Sequence, residues 1–126
     1  LTVVLKLLQI AGADTAYFGE KDFQQLQLVR GLAETFFIPT RITGCPTVRE
    51  PDGLALSSRN TRLSSAERAL APQFHATLSS ATDAAIARAS LAAAGFLVDY
   101  IEDRAGRRFG AVHLGSTRLI DNVPLP

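Results

Sequence analysis

A strand, a helix and a second strand follow one another early in the chain, and this order constrains the fold more than any other feature. Residues 15–18 (TAYF) are a short β-prone run that ends at Gly19. Residues 22–37 carry apolar side chains at helical spacing, and Pro39 separates them from the alternating run 40–48 (TRITGCPTV). Two strands joined by a crossover helix form a right-handed parallel βαβ unit. The sequence therefore predicts an α/β fold with a parallel sheet.

The opening residues 1–11 (LTVVLKLLQIA) are apolar on most sides and predict a helix that Gly12 ends. This run is shorter than the roughly 20 residues needed to span a bilayer, and Lys6 interrupts it. We expect the helix to be largely buried against another part of a longer protein. Since the chain contains no methionine and opens inside this helix, we expect the sequence to be a fragment.

Charge and cysteine content exclude several functional classes. Thirteen Lys and Arg residues balance twelve Asp and Glu residues, so the electrostatic footprint of a nucleic-acid or membrane-surface binder is missing. The single cysteine, Cys45, rules out an internal disulfide and fits a cytoplasmic location, where we expect it to pack as a small apolar side chain. His75 and His113 have no partner at metal-ligand spacing, so we predict no protein metal site and assign these histidines no role.

The second half of the chain has a different composition. Residues 64–67 (SSAE) have the form of a capping box, and they precede an Ala-rich helical stretch through about residue 89. A second Ala-rich piece ends at Gly95, and residues 96–102 and 108–123 resemble strands joined by a hairpin at 104–107. The pattern predicts two domains: an α/β domain over 1–62 and a small α+β domain over 63–126.

The first polar cluster, residues 19–22 (GEKD), lies between the first strand and the helix. Gly19 lets a ligand approach the backbone, and the helix N-terminus offers free N–H groups to an anion. Lys21 adds a full positive charge, while Asp22 can cap the helix and accept hydrogen bonds from ribose hydroxyls. The same residues also fit an exposed Glu–Lys pair beside a capping aspartate, so the pattern alone leaves both interpretations open.

The second polar cluster lies within residues 52–60 (DGLALSSRN). Ser57 and Ser58 are compact donors, and Arg59 can bind a phosphate through two parallel hydrogen bonds. Donors on a mobile loop suit phosphoryl or nucleotidyl transfer, where charge on the phosphates must be neutralised. A solvated turn followed by a helix N-cap explains the same residues equally well. Because both clusters follow a predicted strand, the topology allows them to meet at one sheet edge.

Three further polar residues have two interpretations each. Gln24 and Gln25 lie on the first turn of the helix, where one amide can bind a small polar substrate or both can face solvent. Arg49 follows a strand, where it can line the same cleft or pair with Glu50 or Asp52.

Three blocks of sequence resemble the pantothenate synthetase (pantoate–β-alanine ligase) family. They are residues 16–30 (AYFGEKDFQQLQLVR), 44–64 (GCPTVREPDGLALSSRNTRLS) and 114–122 (LGSTRLIDN). The resemblance is almost continuous over 1–68 and returns at 96–123. It implies the C-terminal part of a Rossmann-like nucleotidyltransferase sheet of the HUP type, followed by a small α+β domain.

The resemblance also implies an activity. The family condenses pantoate with β-alanine to pantothenate through a pantoyl-adenylate intermediate, with release of AMP and pyrophosphate, in coenzyme A biosynthesis. The implied small-molecule partners are ATP, pantoate and β-alanine, with Mg²⁺ bound to ATP. A homodimer of the full-length protein is also implied, and neither nucleic acid nor membrane is expected as a partner.

The resemblance also implies site residues, which are the residues of this sequence at the family's functional positions in the matched blocks. The implied catalytic residues neutralise charge on the triphosphate, and residues 56–59 correspond to the mobile KMSKS loop of class I aminoacyl-tRNA synthetases. Gln25 is implied to bind pantoate, and Val48 to contact the nucleotide base region. The implied catalytic set is Lys21, Ser57, Ser58 and Arg59. The implied ATP-binding set is Gly19, Glu20, Lys21, Asp22, Val48, Leu56, Ser57, Ser58 and Arg59.

The family's His-x-Gly-His motif, its second glutamine and its magnesium-linked aspartate are not in this sequence. We therefore expect the chain to be inactive alone and to act within a longer enzyme. The alternative from another class is a non-catalytic nucleotide-binding or subunit-interaction module, for which the apolar first helix offers a docking surface. A different adenylyl-transferring relative is a third possibility, against which Gln25 and the block 114–122 argue.

Overall fold

The computed structural model describes residues 1–126, which form two compact units, Leu1–Thr47 and Val48–Pro126. Each unit has its own secondary structure. The boundary between these units, after Thr47, differs from the predicted domain boundary after residue 62. The predicted domains 1–62 and 63–126 stay a prediction.

The first unit contains two helices, two strands and one 3₁₀ turn. In chain order its elements are α1 (Thr2–Ala11), β1 (Thr15–Gly19), the 3₁₀ turn Glu20–Asp22, α2 (Phe23–Thr35) and β2 (Arg41–Cys45).

The predicted parallel βαβ unit is confirmed. Strands β1 and β2 pair in parallel, with Thr15 opposite Arg41 and Gly19 opposite Cys45. Strand β2 is shorter than the predicted run 40–48, since Pro46 has no N–H to continue a ladder. The two strands therefore end side by side, and Gly19 lies at their carboxyl ends.

Helix α1 forms as predicted and lies mostly exposed within this chain, while its burial against another part of a longer protein stays a prediction. Gly12 ends the helix in the left-handed conformation, with φ of 57°. Leu8 is its only buried residue, whereas Val3, Leu7 and Ile10 are exposed, Ile10 by 82%. Within this chain the helix contacts α2.

The second unit is α+β, as predicted. Its elements are the 3₁₀ helix Ser58–Arg62, α3 (Ser65–Leu70), α4 (Pro72–Ser80), α5 (Ala84–Ala94), β3 (Leu97–Arg104), β4 (Arg107–Leu114) and β5 (Thr117–Pro124). The three strands form an antiparallel sheet in the order β3-β4-β5.

Two predicted segments of this unit are divided in the structure. The Ala-rich helical stretch consists of three helices, because Pro72 begins α4 and Asp83 caps a new helix at Ala84. The predicted strand run 108–123 is a hairpin, which turns at Gly115 with φ of 61°. The predicted hairpin at 104–107 is present as the connection between β3 and β4.

The core of the second unit lies between the helices and the sheet. Phe74 and Leu78 of α4 are fully buried and pack over Gly110 of β4. A Cβ at Gly110 would lie only 2.9 Å from the Phe74 ring and 3.1 Å from Leu78. Glycine at this position therefore allows α4 to approach the sheet closely.

No helix in the structure combines the length and apolar character that a membrane span needs.

Candidate functional site

The first polar cluster lies where β1 passes into α2. Gly19 ends the strand and is exposed, and nothing lies within 4 Å of the position that a Cβ would occupy there. Residues 20–22 make the 3₁₀ turn, and Asp22 then caps α2 by accepting a hydrogen bond of 3.2 Å from the Gln25 backbone N–H. The backbone is therefore open to a ligand immediately beside a helix N-terminus.

The charged residues of this cluster follow Gly19 directly in sequence and differ in exposure. Lys21 is half-buried, as is Glu20, whereas Asp22 is exposed. Gln25 is exposed on the first turn of α2, and its backbone takes part in the cap while its side chain makes no cap contact. The structure thus brings Gly19, Lys21 and the first turn of α2 together, as the sequence predicts.

The second polar cluster follows a short hairpin in the second unit. The backbone N–H of Glu50 donates to Leu54 at 2.8 Å, and that of Leu56 donates to Val48 at 2.9 Å. Gly53 makes the turn with φ of 95°. Val48 and Leu56, both predicted to contact ATP, are therefore paired neighbours, and both have exposed side chains.

Some residues after this hairpin make local hydrogen bonds, and others expose their donor groups. Ser57 caps the 3₁₀ helix Ser58–Arg62 by accepting from the Arg59 backbone N–H at 3.2 Å. Asn60 donates from Nδ2 to the carbonyl of Ala55 at 3.0 Å, which closes the loop at its base. Ser58 and Arg59 are exposed between these two contacts. The N-cap interpretation therefore holds for Ser57, while Ser58 and Arg59 face outward.

Arg49 pairs with neither Glu50 nor Asp52, so that interpretation is wrong. Its Nη1 and Nη2 donate to the two carboxylate oxygens of Asp121, at 2.6 and 2.9 Å. Asp52 instead accepts from Arg68 at 2.7 Å, and this hydrogen bond holds the pKa of Asp52 below its usual value. A long-range ion pair of this kind leaves no local signal in the sequence.

His75 is not isolated in the fold. Its Nδ1 lies 3.6 Å from Oδ2 of Asp121, and that nitrogen is buried without a hydrogen-bond partner. Burial and the charge of Arg49 lower the pKa of His75, which favours the neutral imidazole. His113 lies similarly, with Nδ1 3.6 Å from Oδ1 of Asp99. Both contacts join residues far apart in the sequence, so spacing could not reveal them.

The structure contains no group of three or more His, Cys, Asp or Glu residues that could hold a metal ion. Each compact unit carries one of the two polar clusters. Residues 19–22 and Gln25 belong to the first unit, and Val48 with residues 56–59 belongs to the second.

Comparison with known proteins identifies the family. The family model described as pantoate-beta-alanine ligase matches residues 1–124. The chain belongs to the pantoate–β-alanine ligase family. Pantoate–β-alanine ligases of other organisms are closely similar to it. The pantothenate synthetase of Bdellovibrio bacteriovorus is 53% identical over 125 residues, which cover 99% of this chain and 50% of that protein.

Further relatives extend this result. The pantothenate synthetase of Coxiella burnetii is 53% identical over 98% of the chain and 48% of its own length. A crystal structure from Francisella tularensis, described as pantoate-beta-alanine ligase complexed with beta-gamma ATP and beta-alanine, has a TM-score of 0.88 and 41% identity. It is matched over 98% of this chain and 48% of its own.

A second solved structure supports the same fold. The pantothenate synthetase of Thermus thermophilus has a TM-score of 0.87 and 36% identity, over 99% of this chain and 55% of its own. These likenesses confirm the predicted Rossmann-like α/β fold. The chain spans about half the length of the pantoate–β-alanine ligases it matches.

Proposed function

We propose that the full-length gene product is a pantoate–β-alanine ligase, and that this chain supplies its ATP- and pantoate-binding residues. The observation that carries the proposal is the family match over residues 1–124, which includes both polar clusters. A relative of 41% identity is described as complexed with an ATP compound and β-alanine. The assignment of this chain to the C-terminal part of the enzyme stays a prediction.

The proposed reaction has two steps. A carboxylate oxygen of pantoate attacks the α-phosphorus of ATP, and the bond to the bridging oxygen breaks to release pyrophosphate. The amine of β-alanine then attacks the acyl carbon of the adenylate, loses a proton and expels AMP. Positioning and charge neutralisation carry most of such a reaction, so no protein nucleophile is required.

The first unit offers the features that an anionic nucleotide needs. The open backbone at Gly19 and the adjacent N-terminus of α2 suit a phosphate, and Lys21 adds a positive charge. Asp22 is exposed and can accept a hydrogen bond from a ribose hydroxyl. Gln25 is exposed on the first turn of α2, and its amide is our proposed pantoate ligand.

The second unit offers a phosphate-binding loop beside an apolar pair. Ser58 and Arg59 project from the 3₁₀ helix, with Ser57 at its cap, and a guanidinium can neutralise the charge that develops on leaving pyrophosphate. The paired residues Val48 and Leu56 present exposed apolar side chains that suit a nucleotide base.

Magnesium enters this proposal with the substrate. We propose that Mg²⁺ arrives bound to the phosphates of ATP, and we assign it no ligand among the residues of this chain. Mg²⁺ typically retains few protein ligands and binds substrate phosphates, which agrees with delivery as MgATP.

Three further parts of the proposal concern the full-length protein. We propose that it is cytoplasmic, that it forms a homodimer, and that residues 1–126 alone are inactive. The second candidate, a non-catalytic interaction module, is favoured by one observation, the exposed apolar face of α1 at Val3, Leu7 and Ile10.

The test is a product assay with the full-length gene product. Supplied with MgATP, pantoate and β-alanine, it should form pantothenate, AMP and pyrophosphate in equal amounts. Release of ADP in place of AMP would contradict the proposed reaction, and absence of any turnover would favour the interaction module. Pantothenate formation by the purified 126-residue chain would contradict its proposed inactivity.

A further inference from the structure

The loop that carries Ser58 and Arg59 has a buried base. Leu54 and Ala55, which precede it, are buried in the core of the second unit, whereas Ser58 and Arg59 are exposed. The Asn60 side chain closes the loop by its bond to the Ala55 carbonyl. The placement of the exposed donors therefore depends on what holds the hairpin 48–56.

Arg49 links this hairpin to strand β5. Its guanidinium forms two hydrogen bonds with the carboxylate of Asp121, whose side chain is only 2% exposed. Nη1 of Arg49 also donates to the carbonyl of Gly53 at 3.2 Å, across the turn of the hairpin. Asp121 is itself oriented, because its Oδ1 accepts from the Asn122 backbone N–H at 2.8 Å. The planar guanidinium thus fixes both the position and the direction of the hairpin.

Helix α4 approaches the same turn from another side. A Cβ at Gly53 would lie 2.9 Å from Cδ2 of His75, so the imidazole packs directly against the turn. His75 also places Nδ1 near Asp121, at 3.6 Å from Oδ2. The hairpin is therefore held by β5 through an ion pair and by α4 through van der Waals contact.

We propose that Arg49 and Asp121 are positioning residues for catalysis, which hold the loop 57–59 where it meets the triphosphate. The proposal rests on the proposed function. The connection is short, because Leu56, the residue before Ser57, is hydrogen-bonded to Val48, the residue before Arg49. A displacement of about 1 Å in a catalytic group can cost about 100-fold in rate, so a loosened hairpin lowers activity without loss of any phosphate contact residue.

The experiment measures pantoate-dependent ATP–pyrophosphate exchange in the full-length gene product and its Arg49→Gln and Arg49→Lys variants. Arg49→Gln should lower kcat/KM for ATP by about 10- to 100-fold while the KM for pantoate changes little. Arg49→Lys retains the charge but not the bidentate geometry, so it should recover only part of the activity.

The matched control is Asp103→Asn, which breaks another arginine–aspartate pair of the same unit, between Asp103 and Arg108. It should lower thermal stability and leave the kcat/KM for ATP of the folded protein unchanged. If Arg49→Gln does not fold, the kcat/KM for ATP of Arg49→Lys tests the positioning role. Wild-type kcat/KM for ATP in the folded Arg49 variants, or an equal loss in Asp103→Asn, would overturn the positioning role. Absence of exchange in the wild-type protein would overturn the proposed function itself, and this role with it.

Discussion

Arg108 is fully buried, and its guanidinium forms two hydrogen bonds with Asp103, at 2.7 and 3.0 Å. Its Nη1 also donates to the carbonyls of Leu78 and Ala81, at 3.0 and 2.6 Å. These carbonyls belong to the C-terminal end of α4, where backbone acceptors lack partners within the helix. These hydrogen bonds offset the cost of burying the Arg108 guanidinium, and they join the sheet to helix α4.

We predict that Asp103→Asn destabilises the protein by about 2 kcal/mol, because it leaves the buried guanidinium without its counter-charge. The matched control is Asp99→Asn, which removes an ion pair with Arg118 on the exposed face of the sheet. That change should cost about 0–1 kcal/mol. Urea denaturation measures both free energies of unfolding, and equal costs would contradict the structural role of the Asp103–Arg108 pair.

The same pair predicts a dependence of stability on pH. The hydrogen bond from Arg108 holds the pKa of Asp103 below its ordinary value of 3.8. At pH values between the pKa of Asp103 in the folded protein and its pKa in the unfolded chain, the unfolded chain binds more protons. The free energy of unfolding therefore rises with pH in that range. The contribution is complete above the unfolded pKa and is lost as the pH falls through the folded pKa.

The measurement is the difference in unfolding free energy between the wild type and Asp103→Asn, followed from neutral pH into acid. The difference should shrink as the pH falls below about 4, since protonation removes the charge that the variant lacks. Parallel stability curves down to the acid limit would contradict this assignment.

A third prediction concerns the turn between β3 and β4. Ala105 has φ of 50° and is followed by Gly106 with φ of 72°. Two consecutive positive φ angles favour Asn-Gly, so Ala105→Asn should raise the free energy of unfolding by about 0.5 kcal/mol. Ala105→Val should lower it, because a β-branched side chain disfavours positive φ. Thermal denaturation of the two variants tests this, and stabilisation by valine would contradict it.

Local rules predicted the elements that depend on neighbouring residues. Ser64 and Glu67 form the complete capping box, and Asp22 caps α2 through the Gln25 N–H. The parallel pairing of β1 and β2 follows from strand, helix and strand in that order. Proline at the first position of α4 was a local signal for the break in the Ala-rich stretch, although alanine composition alone favours one helix.

Contacts between distant residues could not be predicted in this way. Arg49 has acidic neighbours in sequence, yet it bonds to Asp121 of β5, because the fold brings this buried carboxylate closer. His75 acquires its neighbours only when α4 packs near the hairpin turn. Helix α1 has the composition of a buried helix but lies mostly exposed, since burial depends on the partner surface as well as on the residues.

We propose that Lys21 and Arg59 neutralise the charge on the triphosphate during adenylate formation. Pantoate-dependent ATP–pyrophosphate exchange measures this step without β-alanine. In the full-length gene product, Lys21→Ala and Arg59→Ala should each lower exchange by about 100-fold or more, as loss of charge stabilisation typically does. Arg62→Ala, an exposed arginine of the same 3₁₀ helix as Arg59, should retain the wild-type rate. Near-normal exchange in both Lys21→Ala and Arg59→Ala would contradict this role of the two residues.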